Sequence, residues 1–136
     1  MISQSYVLTV LCSNVERVTK MMIVSSIIPL ESLPDLEEKM FFNEDEMVKA
    51  VADVDKDILA LNAELHSDLE QLLLDNGSDQ KSLYGFNIYY DGEIEYDSMI
   101  NPPRNREAGF PRAGRDVADP VAREKIKELV EKWIKI

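Results

Sequence analysis

Three groups of side chains in this chain have types and spacings that could do chemistry: an acidic triplet, a run of arginines and a lone histidine. Asp53, Asp55 and Asp57 alternate along the chain, and Glu64 stands at the twelfth place counted from Asp53. That spacing matches carboxylate positions of an EF-hand loop, which rings a calcium ion with oxygen ligands. The loop needs glycine at its sixth position for a sharp turn, and here that residue is Ile58. Val54, Ile58 and Leu61 also run through the segment at helical spacing. The acids are therefore expected to line the solvent face of a helix, with Asp68 beyond them, as a surface for a partner. Neither a metal site nor a cofactor is expected.

Arg104, Arg106, Arg112 and Arg115 fall within 12 residues, interspersed with Asn105, Gly109, Phe110 and Gly114. From Asn101 to Asp119, four arginines stand against Glu107, Asp116 and Asp119, a balance of +1. The remaining 11 basic and 23 acidic residues then give −12. Guanidinium groups suit carboxylates and phosphates because they donate paired hydrogen bonds. One reading is a loop that binds an anion or docks a partner, with Phe110 as an apolar anchor. The favoured reading is plainer: the arginines fold back onto the protein's own acids and fasten a long connection.

His66 is the only histidine, with no second one to form a metal pair and no evident nucleophile to activate. A structural role is expected for it. Cys12, the only cysteine, lies at the end of an apolar run, where a free thiol usually acts as a small buried hydrophobe. No glycine-rich phosphate loop or dinucleotide fingerprint occurs, so no catalytic motif is assigned.

Composition narrows the classes further. The chain has 136 residues, 45% hydrophobic and 30% charged, as expected for one globular domain. Its 26 acidic and 15 basic residues give a net charge of −11. Such a surface repels nucleic-acid backbones and anionic membranes and attracts basic partners. A single cysteine cannot form an internal disulfide, which fits a reducing compartment. The apolar run Tyr6–Cys12 precedes the first basic residue, Arg17, unlike a signal peptide, and no apolar run approaches bilayer-spanning length. A cytoplasmic location without membrane contact is expected.

The elements that would position these groups read as α+β. Tyr6–Cys12 is rich in β-branched and aromatic residues and predicts a strand. Ser13 and Glu16 have capping-box spacing and could open a helix. Residues Met21 to Ile28 fit helix or strand equally. Met47, Val51, Val54, Ile58, Leu61, Leu65, Leu69 and Leu72 then recur at intervals of three and four, with Asn43 and Glu46 in capping-box spacing before them and Asn76-Gly77 after. This predicts a long central helix over 44–75. Its 32 residues would span roughly 48 Å against a domain diameter under about 40 Å. It must therefore project, pair with a second copy, or break around Asp53 to Asp57.

A hairpin is predicted over 83–100. With a three-residue turn at Tyr90-Asp91-Gly92, Ile88 opposes Ile94 and Phe86 opposes Tyr96 on the apolar face. Tyr89, Glu93 and Glu95 then share the other face with Asn87, a composition suited to a binding surface. Residues 101–118 read as a long loop rich in Pro and Gly. Asp119-Pro120 starts a last helix, 120–135, with Ile126, Leu129, Val130, Trp133 and Ile134 as its apolar face.

The functional expectation is an acidic protein-binding module, of the inhibitor, immunity or antitoxin kind, that docks onto a basic macromolecule. The alternatives are a self-associating scaffold paired through the long helix, possible as a homodimer, and an enzyme holding a small anion on the arginine loop.

Overall fold

The computed structural model describes residues 6–10, 20–25, 28–29, 47–89 and 91–135. They form an α+β fold around a six-stranded antiparallel sheet of order β1-β2-β5-β4-β6-β7. The strands are β1 (Tyr6–Val10), β2 (Lys20–Val24), β4 (Met47–Asp53), β5 (Ile58–Leu61), β6 (Leu83–Tyr89) and β7 (Ile94–Glu95). Helices α1 (His66–Asp75), α2 (Asn101–Glu107) and α3 (Pro120–Trp133) pack around it. A short parallel pair joins β3 (Ile28–Pro29) to β8 (Ile134–Lys135) after α3. The N-terminal strand thus lies where expected, the ambiguous segment from Met21 is strand as far as Val24, and the possible helix start at Ser13 falls outside the described residues.

The predicted helix over 44–75 is not present. Its described portion folds into β4, a turn, β5 and the ten-residue helix α1. The break at Asp53 to Asp57 is real, but strands flank it. The reason lies in burial on both sides. Val48, Ala50 and Ala52 of β4, with Leu59 and Leu61 of β5, pack on one face of the sheet. Val51 and Ala60 pack on the other. A strand covered on both faces loses its polar–apolar alternation, and its apolar residues then imitate helical spacing. The seam residues Val51, Leu61 and Leu69 are fully buried within this one chain, so no long helix remains to pair with a second copy.

The two faces carry different layers. Ile126, Leu129, Val130 and Ile134 at the C-terminal end cover Met22, Val24, Phe86 and Ile88 on the first face. Leu69 and Leu73 of α1, with Ile100, cover Met21, Ile23, Val51 and Leu83 on the second. Each such fully buried aliphatic side chain contributes about 1.5–3 kcal/mol.

Local signals explain the joints. Helix α1 stops at Asn76-Gly77: Gly77 has φ of 98°, its N–H meets the Leu74 carbonyl, and the Ser78 N–H reaches back to Leu73. Asp119 caps α3 by accepting from the Val121 N–H at 3.0 Å, with Pro120 in the first turn. The hairpin has the predicted register, with Ile88 opposite Ile94 and Asn87 opposite Glu95. Its return strand ends at Glu95, shorter than the predicted range, although Phe86 and Tyr96 still share one core.

The segment expected to be a loop over 101–118 begins instead with helix α2. Pro102 and Pro103 sit in its first turn, where a missing N–H costs no helical bond. Among the described residues, no helix is long and apolar enough to cross a membrane.

Candidate functional site

The acidic triplet is a hairpin turn rather than a helix face. Asp53 ends β4, is 1% exposed, and its Oδ1 accepts from the Asp55 and Lys56 N–H groups at 2.9 Å each. Its Oδ2 accepts from the Ser78 hydroxyl at 2.6 Å. Asp57 adopts the left-handed region at φ 59°, which aspartate tolerates better than most residues. Its carbonyl accepts from the Trp133 indole at 2.9 Å, and its carboxylate lies 3.2 Å from Lys125 Nζ. Asp55 is exposed and accepts from the Ser82 hydroxyl. The three carboxylates therefore point at three different sets of protein donors. Glu64 lies exposed just ahead of α1 and Asp68 lies exposed in its first turn, both away from the hairpin turn. One acidic helix face joining these five residues does not exist.

The fold instead builds a groove that the sequence spacing does not disclose. The turn residues Val54 and Asp55 form one wall, and the start of α3 from Asp119 to Glu128 forms the other. Lys81, Ser82 and Tyr84 close it. The space amounts to about 640 Å³. Its carboxylates are Asp55, Asp119, Glu124 and Glu128, against the ammonium groups of Lys81 and Lys125. Lys125 already faces Asp57, and Asp119 is committed to capping α3. Glu124 and Glu128, one helical turn apart and exposed, have no ion-pair partner among the described residues.

Apolar surface in the groove comes from Val54, Tyr84, Ala122 and the prominently exposed Val121. Burial pushes the Tyr84 phenol above its ordinary pKa, with nearby Asp119 adding to the effect, so the ring keeps its proton. A smaller hollow of about 450 Å³ continues past Asp55 to Lys56, Gly77, Ser78 and Asp79.

The arginine run divides into anchors and free groups. Arg104 is 5% exposed, donates through Nε to the Leu83 carbonyl at 2.9 Å, and pairs with Glu70 of α1. Asn101 works beside it: its side chain accepts from the Gly85 N–H at 2.8 Å and donates to the Gly85 carbonyl at 2.9 Å. Together they take up the edge of β6 that β7 is too short to reach. Asn105 is also buried, and its amide donates to the Gly114 and Asp116 carbonyls. Arg115 pairs at the surface with Asp97. Arg106, Arg112 and Phe110 remain exposed. The expected fold-back thus holds for Arg104 and Arg115, whereas Arg106, Phe110 and Arg112 take no part in it.

His66 opens α1 and is buried, with Nε2 2.8 Å from the Phe86 carbonyl. A carbonyl only accepts, so Nε2 carries the proton. Burial lowers the imidazole pKa below its ordinary value; the Phe86 hydrogen bond opposes this. Nearby, the Asn87 amide donates to Glu95 at 2.9 Å, and Tyr89 also meets that carboxylate. Glu93 is exposed beside them. On this face of the hairpin Tyr89 is half-buried and Glu95 is exposed, whereas Asn87 is buried. Among the described residues, no cluster of three or more His, Cys, Asp or Glu side chains converges on a metal position.

Buried anchors such as Asn101 and Asn105 carried no sequence signal beyond sitting among prolines and glycines. The groove acids Glu124 and Glu128 could have been noticed as an i, i+4 pair on the polar face of the last helix.

The chain belongs to the DUF5674 family, described as a protein of unknown function, whose model matches residues 22–133. Neither a curated protein nor a solved structure matches it.

Proposed function

We propose that this chain is an acidic protein-docking module that receives a basic segment of a macromolecular partner in the groove between the β4–β5 turn and the start of α3. The observation that carries the reading is the combination of unpaired carboxylates and apolar wall in one concavity. The unpaired carboxylates are Glu124 and Glu128, which stand with the Ser82-bonded Asp55 around Val54, Tyr84 and Val121. A lysine or arginine side chain presents the matching shape, an apolar stem ending in a cation. The net charge of −11 would draw such a partner in from a distance and raise the association rate. An inhibitor, immunity or antitoxin role, exercised in the cytoplasm, is the biological form this chemistry favours.

The small-anion enzyme reading draws less support. Arg104 and Arg115 are engaged within the fold, and His66 is closed into the core.

The test is calorimetric titration with a lysine octapeptide at low and high salt. Binding should weaken as salt screens the groove. The double substitution Glu124→Gln and Glu128→Gln should weaken it about 2- to 30-fold, as two partly exposed ion pairs would. Unchanged affinity in that variant sinks the groove as the docking site.

A further inference from the structure

The arginine loop presents a second, separate binding element of opposite sign. Helix α2 closes with the Gly109 N–H on the Arg106 carbonyl at 3.1 Å and the Phe110 N–H on the Asn105 carbonyl at 2.7 Å. Gly109 takes φ of 97° to allow it. A second tight turn follows immediately, with the Ala113 N–H on the Phe110 carbonyl at 3.2 Å. Arg106 lies in the last turn of α2, Phe110 at the junction, and Arg112 inside the second turn.

The buried Asn105 amide fastens both ends of this double turn. It holds the Gly114 and Asp116 carbonyls at 2.8 and 2.6 Å, and its oxygen accepts from the Ala118 N–H at 3.2 Å. A Cβ added at Gly109 or Gly114 would meet nothing within 4 Å, so packing does not demand glycine there; the positive φ does. The segment is thus held in one shape although its tip makes little core. In a chain of net charge −11, Arg106 and Arg112 still have no acidic partner among the described residues. Phe110 beside them is 37% exposed.

We infer that Arg106, Phe110 and Arg112 form a preorganised docking tip for an acidic peptide segment, one with carboxylates on either side of an apolar residue. Two arginines on either side of a phenylalanine along one fixed double turn suit two separated carboxylates with an apolar side chain between them. Fixing the loop beforehand removes the ordering cost from the binding step. Nucleic acid fits less well, because a continuous polyanion would extend past the tip over a body carrying −12, whereas a short acidic segment need cover only the tip. This tip is independent of the groove, and the two can engage different chemistry at once.

The experiment is a titration of the full chain at low salt with the capped peptide Gly-Asp-Glu-Leu-Glu-Asp-Gly. Inorganic phosphate and a single-stranded oligothymidylate serve as competing probes. The peptide should bind, and affinity should fall about tenfold or more in the Arg106→Ala, Arg112→Ala double variant. Phe110→Ala should weaken it several-fold, about what losing one apolar anchor costs. The groove variant Glu124→Gln, Glu128→Gln should bind the peptide as the wild type does, which separates this site from the docking groove. All these positions are exposed, so matching melting temperatures will show that each variant is folded. The inference is overturned if the peptide does not bind, if the double arginine variant binds it equally well, or if the oligonucleotide or phosphate binds more tightly.

Discussion

The acidic turn and the arginine loop carry opposite charges and yet are built alike. Each has one charged residue driven into the interior to hold the backbone: Asp53 at 1% exposure and Arg104 at 5%. Each also has charged residues at the surface that pair locally, Asp57 with Lys125 and Arg115 with Asp97. They differ in what is left over. The turn contributes little free charge of its own and serves as one wall of a groove whose free carboxylates come from α3. The loop keeps its free cations on itself, at Arg106 and Arg112. A run of like charges is therefore a mixture, and burial is what sorts the structural anchors from the exposed charges.

This comparison can be broken most decisively at Arg104. Arg104→Ala removes the bond to Leu83 and leaves Glu70, 13% exposed, without its cationic partner and with only the Gln80 amide donating to it. Losing one member of a buried pair costs about 3–5 kcal/mol, which chemical denaturation would register as a large drop in midpoint. A loss under about 0.5 kcal/mol, the range of ordinary surface substitutions, would place Arg104 with the free arginines.

Asp53→Ala comes next. It strips the turn of the acceptor for two backbone N–H groups and the Ser78 hydroxyl, at a cost of about 1–3 kcal/mol. Gly85→Ala belongs at the same level, because the added Cβ would lie 2.4 Å from Ser98 Oγ. Overpacking of that kind costs about 1–3 kcal/mol, and Ser98→Gly should relieve part of it in the double variant.

A smaller effect is expected from pH. His66 titrates below its ordinary value in the fold, so the unfolded chain binds its proton first as pH falls. Its contribution is complete above the unfolded value near 6.5 and is lost as pH drops through the folded one. Comparing His66→Gln with the wild type from pH 8 to 5 isolates the contribution of this imidazole. Stability of the two falling in parallel over that range would contradict it. The smallest change is expected at Arg112→Ala, within about 0.5 kcal/mol of wild type in stability, as befits an exposed side chain outside any network.

How much of this could be read from the sequence depended on whether a signal was local. The caps were legible: Asn76-Gly77, Asp119-Pro120 and the register at Asp91-Gly92 all declare themselves within a few residues. The central segment was not, because strands β4 and β5 are buried on both faces and their apolar spacing fits two periodicities. Helix α2 was hidden by Pro102 and Pro103, which mark a loop by composition but tolerate a helix start. Of the candidate site, Asp55 and the free arginines were within reach. The groove was out of reach, since it exists only where residues 54–55 meet residues 119–128 through the sheet.

The most direct test of the proposed function is to map where a basic peptide sits. Titrating the isotope-labelled chain with the lysine octapeptide and following amide shifts would give that footprint. The groove account predicts the largest shifts at Val54, Asp55, Tyr84, Val121 and Glu124. Shifts centred on Glu64 and Asp68, or spread evenly over the acidic surface, would contradict it.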